Sequence, residues 1–174
     1  MKTCCFIGHR NVEGTPALRE RLEDVVRRLI TEKGVSRFLF GSKSLFDDLC
    51  HEAVTKLREE YPQIRRVYVR TCYTELGEQY TEYLLKSYED TYLPEGVEKA
   101  GRAAYVERNQ EMIKASEYCV FYYDENYKPK ERKYSRRNLT YYQPKSGTEV
   151  AYEYAKRKGK EIINLKVGEC ELKP

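Results

Sequence analysis

Residue types suited to holding an anionic small molecule recur at four places in the chain: Gly8-His9-Arg10, Gly41-Ser42, Arg108-Asn109 and Ser146-Gly147-Thr148. A guanidinium presents paired donors to a phosphate or carboxylate. A Gly-Thr helix entrance presents free N–H groups and the positive end of a dipole, and glycine at a strand end lets the backbone approach a bound group. Each piece has a plainer reading as well. Gly8 and Gly41 could serve only as tight turns, and Ser146 only as a helix cap. His9 and Arg10 could bind a phosphate or a base, or be an exposed pair with Arg10 bonding a helix C-terminus. Arg108 could pair with Glu107 or Glu111 on the surface. Phe46 and the carboxylates of Asp47 and Asp48 follow the second turn, and the carboxylates could accept from ribose hydroxyls, although acidic residues in a first helical turn are ordinary dipole partners. His51 reads most simply as a helix-surface residue. Finding the three glycine turns on one sheet edge is what favours a binding site.

Stepping along the chain, the pattern supplies the elements that must carry these residues. Residues 3–7 form a continuous apolar run, as in a strand covered on both faces. Thr15 suits an N-cap and Pro16 the first helical position; Leu18, Leu22, Val25, Val26, Leu29 and Ile30 then fall on one helical face, closed by Gly34. Further strands are expected at 37–40, 66–70, 118–123 and 161–165, and helices at 46–61, 103–115 and 148–158. At ~100° per residue, Tyr105, Val106, Met112 and Ile113 make an apolar stripe with Asn109 near its middle and Arg108 on its flank. Within residues 74–95, Tyr80, Tyr83, Leu84, Leu85 and Tyr88 suit one helix and residues 93–96 mark a turn, a variable connection expected to fold over the carboxyl edge of the sheet. Strands alternating with helices imply a three-layer α/β fold with a mainly parallel sheet and right-handed crossovers, in which ligands bind beyond the carboxyl ends of the strands where strand order reverses.

Length favours one domain over residues 1–174, with 124–145 as an inserted loop too long for an ordinary connection and 132–142 as a small hairpin. That loop holds seven Lys/Arg against three Asp/Glu, so the whole net charge of +4 is concentrated there. Tyr127, Tyr134, Tyr141 and Tyr142 are interleaved with its basic residues, a combination that can stack single-stranded bases; packing tyrosines or a subunit contact, and with it a homodimer, are the plainer alternatives. No apolar run reaches the ~18 residues of a membrane span and no secretory h-region is present, so a cytoplasmic location and no membrane partner are expected. Six scattered cysteines, Cys4, Cys5, Cys50, Cys72, Cys119 and Cys170, read as reduced core thiols. With two histidines and no C-x-x-C, no metal site is expected, and no resident cofactor either.

These pieces together, from Gly8-His9-Arg10 through Gly41-Ser42 with Phe46-Asp47, Arg108-Asn109 with Met112, Ser116-Glu117, and Ser146-Gly147-Thr148 with Tyr154-Ala155, resemble the SLOG superfamily. Its members include the Lonely-Guy phosphoribohydrolases, the DNA-processing A proteins and a YspA- or YpsA-like bacterial and phage branch, to which the similarity spans nearly the whole chain. The resemblance implies a Rossmann-like fold that binds nucleotides or nucleotide-derived ligands, with Arg108 where the phosphoribohydrolases carry a functional Arg. Those enzymes place a glutamate three residues past the Thr of the Gly-Thr turn; here that position is Ala151. Cleaving an N-glycosidic bond passes through an oxocarbenium-like centre that a carboxylate stabilises or attacks, which Ala151 cannot do. Glu149 or Glu153 would have to substitute from other helix faces. Binding or sensing of an ADP-ribose-like, NAD-like or nucleoside monophosphate ligand is therefore preferred to an N-glycosidase activity, with single-stranded nucleic-acid binding through 124–145 as the third reading.

Overall fold

Cys4, Cys5, Phe6 and Ile7 are all buried, which is what a strand at the centre of a parallel sheet requires of its residues. The computed structural model describes residues 1–71 and 77–166. In chain order the elements are β1 (Lys2–Gly8), α1 (Pro16–Thr31), β2 (Val35–Phe40), α2 (Leu45–Glu60), β3 (Arg65–Val69), α3 (Glu78–Leu85), β4 (Asp90–Tyr92), α4 (Glu95–Glu98), α5 (Ala104–Lys114), β5 (Tyr118–Tyr122), β6 (Arg132–Lys133), β7 (Tyr141–Tyr142), α6 (Gly147–Arg157) and β8 (Glu161–Asn164). Six strands form one sheet in the order β4-β3-β2-β1-β5-β8, parallel throughout. This is the three-layer Rossmann-like arrangement. The chain works outward from β1 through β4, then returns to the other side of β1 with β5, so strand order reverses between β1 and β5.

Successive strand residues face opposite layers. Cys4, Phe6, Phe38 and Phe40 pack under α1 and α2; Cys5, Ile7, Leu39 and Phe121 pack under α5 and α6 with Met112, Ala151 and Ala155. The six apolar residues expected on α1 are all buried, Thr15 Oγ1 accepts from the Leu18 N–H at 3.2 Å, and Pro16 starts the helix. Cys4, Cys5, Cys50 and Cys119 are buried free thiols; Cys72 and Cys170 lie outside the described residues.

The helix expected on residues 80–88 forms but ends earlier, and a strand follows it. Residues 74–76 lie outside the described part, the helix covers only Glu78–Leu85, and Asp90–Tyr92 add an edge strand paired with Val67–Val69. Three residues without an apolar run carry no strand signal of their own. Their position is set by a side chain from the neighbouring strand: Glu89 accepts from the Arg66 backbone N–H at 2.7 Å and from its guanidinium at 2.6 Å, while Arg66 also donates to Thr55 Oγ1 at 2.7 Å. The expected hairpin does form, with Arg132 opposite Tyr142 and Lys133 opposite Tyr141.

Gly8 closes β1 where there is no room for a side chain. A Cβ there would stand 2.3 Å from Phe46 Cδ1 and 2.6 Å from its Cγ, and the ring itself is fully buried. Gly8→Ala is expected to destabilise the protein by about 1–3 kcal/mol, the usual cost of overpacking, and the double variant Gly8→Ala/Phe46→Leu to recover part of that loss; urea unfolding midpoints of the three proteins check both.

Candidate functional site

The carboxyl ends of β1 and β5 open into a cleft of about 240 Å³. Its floor is Phe6, Ile7 and Met112, and its walls are Gly8, His9, Arg10, Ser42, Arg108, Asn109, Ser146, Gly147 and Thr148, with Tyr105 and Tyr127 at the rim. All four stretches singled out from the sequence therefore converge on one place. The cleft continues along Gly41 to Lys43 toward Tyr68 and Thr71 on one side, and under the β5–α6 loop past Asn11, Pro129, Arg132 and Lys145 on the other. No Asp or Glu lines the cleft or either extension among the described residues.

Arg108 is placed differently from the sequence expectation. The buried face of α5 is Ala104, Arg108, Met112 and Ile113, so Arg108 belongs to the i, i+4 row facing the sheet rather than to its flank, and it is buried rather than at the surface. Asn109 is half-buried beside it, and Tyr105, expected in the apolar stripe, is 53% exposed. A charged side chain can occupy the inward row because Gly41 leaves room for it. A Cβ on Gly41 would fall 2.8 Å from Arg108 Cδ, 2.9 Å from its Nε and 2.9 Å from Met112 Sδ. Asn109 Oδ1 accepts from Arg108 Nε at 3.3 Å and Nη2 at 3.1 Å, and the Tyr105 ring lies 5.5 Å from the guanidinium carbon. The amide thus finds the partner that an inward-facing Asn needs, in the residue next to it.

Asp47 is buried and does not line the cleft, which corrects its expected place on a ribose. Its carboxylate accepts from the backbone N–H groups of Ser42 and Gly41 and faces Arg108; burial pushes its pKa up to about 8 against the pull of these partners. Phe46 takes its place on the buried face of α2, as apolar spacing expects, lying beneath Gly8 and 5.8 Å from the Tyr122 ring, and it does not line the cleft. Asp48 is exposed on the same helix. His51 is more than a surface residue: its Nε2 donates to the Ser87 carbonyl at 2.9 Å and its ring lies 4.8 Å from Tyr88, tying α2 to the segment before β4.

At the other wall, Ser146 caps α6, its Oγ accepting from the Glu149 N–H at 3.0 Å while its carbonyl takes the Val150 N–H. The N–H groups of Gly147 and Thr148 make no hydrogen bond among the described residues, and both residues line the cleft. A Cβ on Gly147 would meet nothing within 4 Å. The helix end therefore brings a pair of donors without partners among the described residues to the cleft wall.

His9 is buried, not exposed, and its Nε2 accepts the Asp124 N–H at 3.0 Å. That bond requires an unprotonated Nε2. The Tyr127 ring packs 4.5 Å away, so His9 anchors the start of the long loop beside the cleft. Arg10 is exposed; its carbonyl accepts from the Leu45 N–H at 3.3 Å, at the start of α2 rather than at a helix C-terminus. Its side chain makes no hydrogen bond or ion pair among the described residues.

Of the helix α6 residues, Ala151 faces the core and Glu153 is paired with Lys145 at 2.6 Å, away from the cleft. Glu149 is half-buried and close enough to favour the His9 cation, but does not line the cleft. Tyr105 and Tyr127 were not singled out as rim residues. Tyr105 sits two helical turns before Met112 and three residues before Arg108, a spacing consistent with an aromatic beside a buried cation; nothing in the sequence signals that Tyr127 folds back onto His9.

A six-stranded parallel sheet with its strand order reversing at β1/β5, and a donor-rich cleft at that reversal, define a Rossmann-like α/β protein. Residues 6–154 match the YspA SLOG family, and the chain belongs to it. A search among curated proteins found no match.

Burial holds the His9 pKa below 6.5, opposed by the Asp124 and Glu149 carboxylates. A histidine depressed in the folded state contributes stability that is full above the unfolded pKa and is lost as pH falls from 6.5 through the folded value. Asp47 has the opposite sign, its contribution being full at acid pH and lost as pH rises through about 8, so a global unfolding curve mixes the two. Hydrogen exchange at the Asp124 amide isolates His9. Protection there, corrected for intrinsic exchange, is expected to fall between pH 7 and pH 5 in the native protein and to be low at both pH values in His9→Ala.

Proposed function

We propose that the protein binds a nucleotide or nucleotide-derived ligand, with a phosphate against the Gly147 and Thr148 N–H groups, Arg10 and Arg108 supplying positive charge, and Tyr105 or Tyr127 offering a face to the base. Membership of the SLOG family supports a nucleotide-related function. The observation that carries the reading is the convergence of oriented donors and guanidinium groups on a cleft that no carboxylate lines among the described residues. An anion would find donors on several sides and no like charge at the wall. The same absence argues for binding over N-glycosidic cleavage, since that chemistry needs a carboxylate at the anomeric centre and the cleft-facing turn of α6 offers Thr148, with Ala151 turned to the core.

Calorimetry against AMP, CMP, NAD and ADP-ribose tests this. At least one is expected to bind, and Arg108→Ala to weaken it by roughly ten-fold or more, as for a lost charge-assisted hydrogen bond. Gly147→Pro is the sharper variant. Proline is tolerated at the first helical position and Ser146 is already extended (φ −71°, ψ 156°), so the helix should persist while one N–H donor is removed; several-fold weaker binding is expected, with Gly147→Ala, which keeps the N–H, close to the native protein. No binding by any of the four, or equal affinity in Arg108→Ala, overturns the proposal.

Incubation of the protein with AMP or CMP is expected to release no free base by chromatography. Release that is lost in Glu149→Gln would place catalysis on that residue instead.

A further inference from the structure

The hairpin that rises from the β5–α6 loop carries a run of cations outside the set of donors assigned to the small ligand. Lys128, Lys130, Arg132, Lys133, Arg136 and Arg137 form no ion pair among the described residues, whereas Lys145 at the base of the loop is paired with Glu153 and Asp124 at its start with Lys166. Residues 131–141 are exposed without a break. Within that run Tyr134 is 63% and Tyr141 55% exposed, and neither ring is buried by the core. Tyr134 lies 4.7 Å from Tyr142 and Lys133 sits 5.3 Å from the Tyr141 ring, so the cations of β6 face the aromatic residues of β7 across the hairpin.

The hairpin is also shaped locally rather than left as a loose run. Ser135 Oγ accepts from the Asn138 N–H at 2.8 Å and the Arg137 N–H at 3.3 Å, Asn138 Oδ1 accepts from the Thr140 N–H at 3.0 Å, and the Gln143 amide donates to the Pro129 carbonyl at 2.6 Å. At its base the loop is fixed to the body by His9 and Tyr127. A cationic surface alone would suit any polyanion. Exposed rings between the cations narrow the choice, because bases stacked in a duplex cannot present their faces to a side chain while those of a single strand can.

We propose that the 128–142 hairpin is a binding surface for single-stranded nucleic acid, its lysines and arginines following the phosphates and Tyr134 and Tyr141 stacking on bases. Arg132 belongs both to this surface and to the extension of the cleft, so a bound strand would run toward the cleft mouth. The surface is separate from the donors assigned to the small ligand, and each reading can fail alone.

Fluorescence anisotropy with fluorescein-labelled 20-nucleotide oligo(dT) and oligo(rU), the matching DNA duplex and heparin as competitor tests it. Single strands are expected to bind at least five-fold tighter than the duplex, with log affinity falling against log salt with a slope of about 3–4, from ~0.7 per neutralised phosphate. The variant Lys130→Ala/Lys133→Ala/Arg136→Ala/Arg137→Ala should weaken binding at least ten-fold and flatten the slope. Tyr134→Leu/Tyr141→Leu should weaken single-strand binding about five-fold or more at an unchanged slope. Circular dichroism and the nucleotide affinity of the cleft report that both variants are folded. Absence of binding, equal affinity for duplex and single strand, or an unchanged affinity in the tyrosine variant overturns the proposal. So does self-association that the four-alanine variant abolishes in sedimentation, which would assign the surface to contact between copies.

Discussion

A buried guanidinium resting on a glycine is the constraint around which the cleft is arranged. Arg108 occupies the inward row of α5, and it can do so because Gly41 has no side chain at the point of closest approach. Asp47, in the first turn of α2, faces it from the other side while taking the N–H groups of Gly41 and Ser42. Turn, helix and cation are thereby held by one another. A buried arginine is costly unless paired and hydrogen-bonded, and here the Asn109 amide and the Tyr105 ring share that task, with the Asp47 carboxyl group facing the guanidinium.

The second wall depends on a different device. Ser146 uses its hydroxyl to cap α6, which leaves the next two N–H groups without hydrogen-bond partners among the described residues, at the wall of the cleft. Between the two walls, β1 ends at Gly8 because Phe46 presses on it from below, and the following His9 turns its ring to the β5–α6 loop. The resulting floor is apolar and the walls are rich in donors, which is the division of labour expected of a small-molecule site. Topology explains why the pieces meet. Chain segments separated by about a hundred residues share one edge because β1 and β5 are neighbours while their connections depart to opposite faces.

Charge is distributed with the same economy. Elsewhere the surface arginines and lysines of α1 and α2 pair with glutamates across the two helices, as Arg27 does with Glu60 and Lys56 with Glu23. The basic hairpin has no such partners among the described residues. Surface pairs contribute little stability individually, so leaving these cations unpaired costs the fold little and keeps the positive field available beyond the protein.

Much of the architecture was legible in residue order because burial imposes periodicity: α1, α2 and the central strands follow from apolar spacing, and the N-cap residues Thr15 and Ser146 from side chains that compete for backbone N–H groups. The residue types of the candidate site, the glycine turns, Arg108 and the Ser-Gly-Thr helix start, were legible for the same local reasons. What a chain read in one dimension does not carry is which partner an ambiguous polar group meets. Arg108 turned inward because a glycine far away in sequence made room. Asp47 turned to a backbone turn and not to a ligand, and His9 became a buried acceptor. The strand Asp90–Tyr92 exists because Glu89 is gripped by Arg66 at an open sheet edge. Local preference acts through near neighbours and survives in sequence, whereas desolvated charges and edge pairings are settled by contacts across the fold, and only the folded chain supplies them.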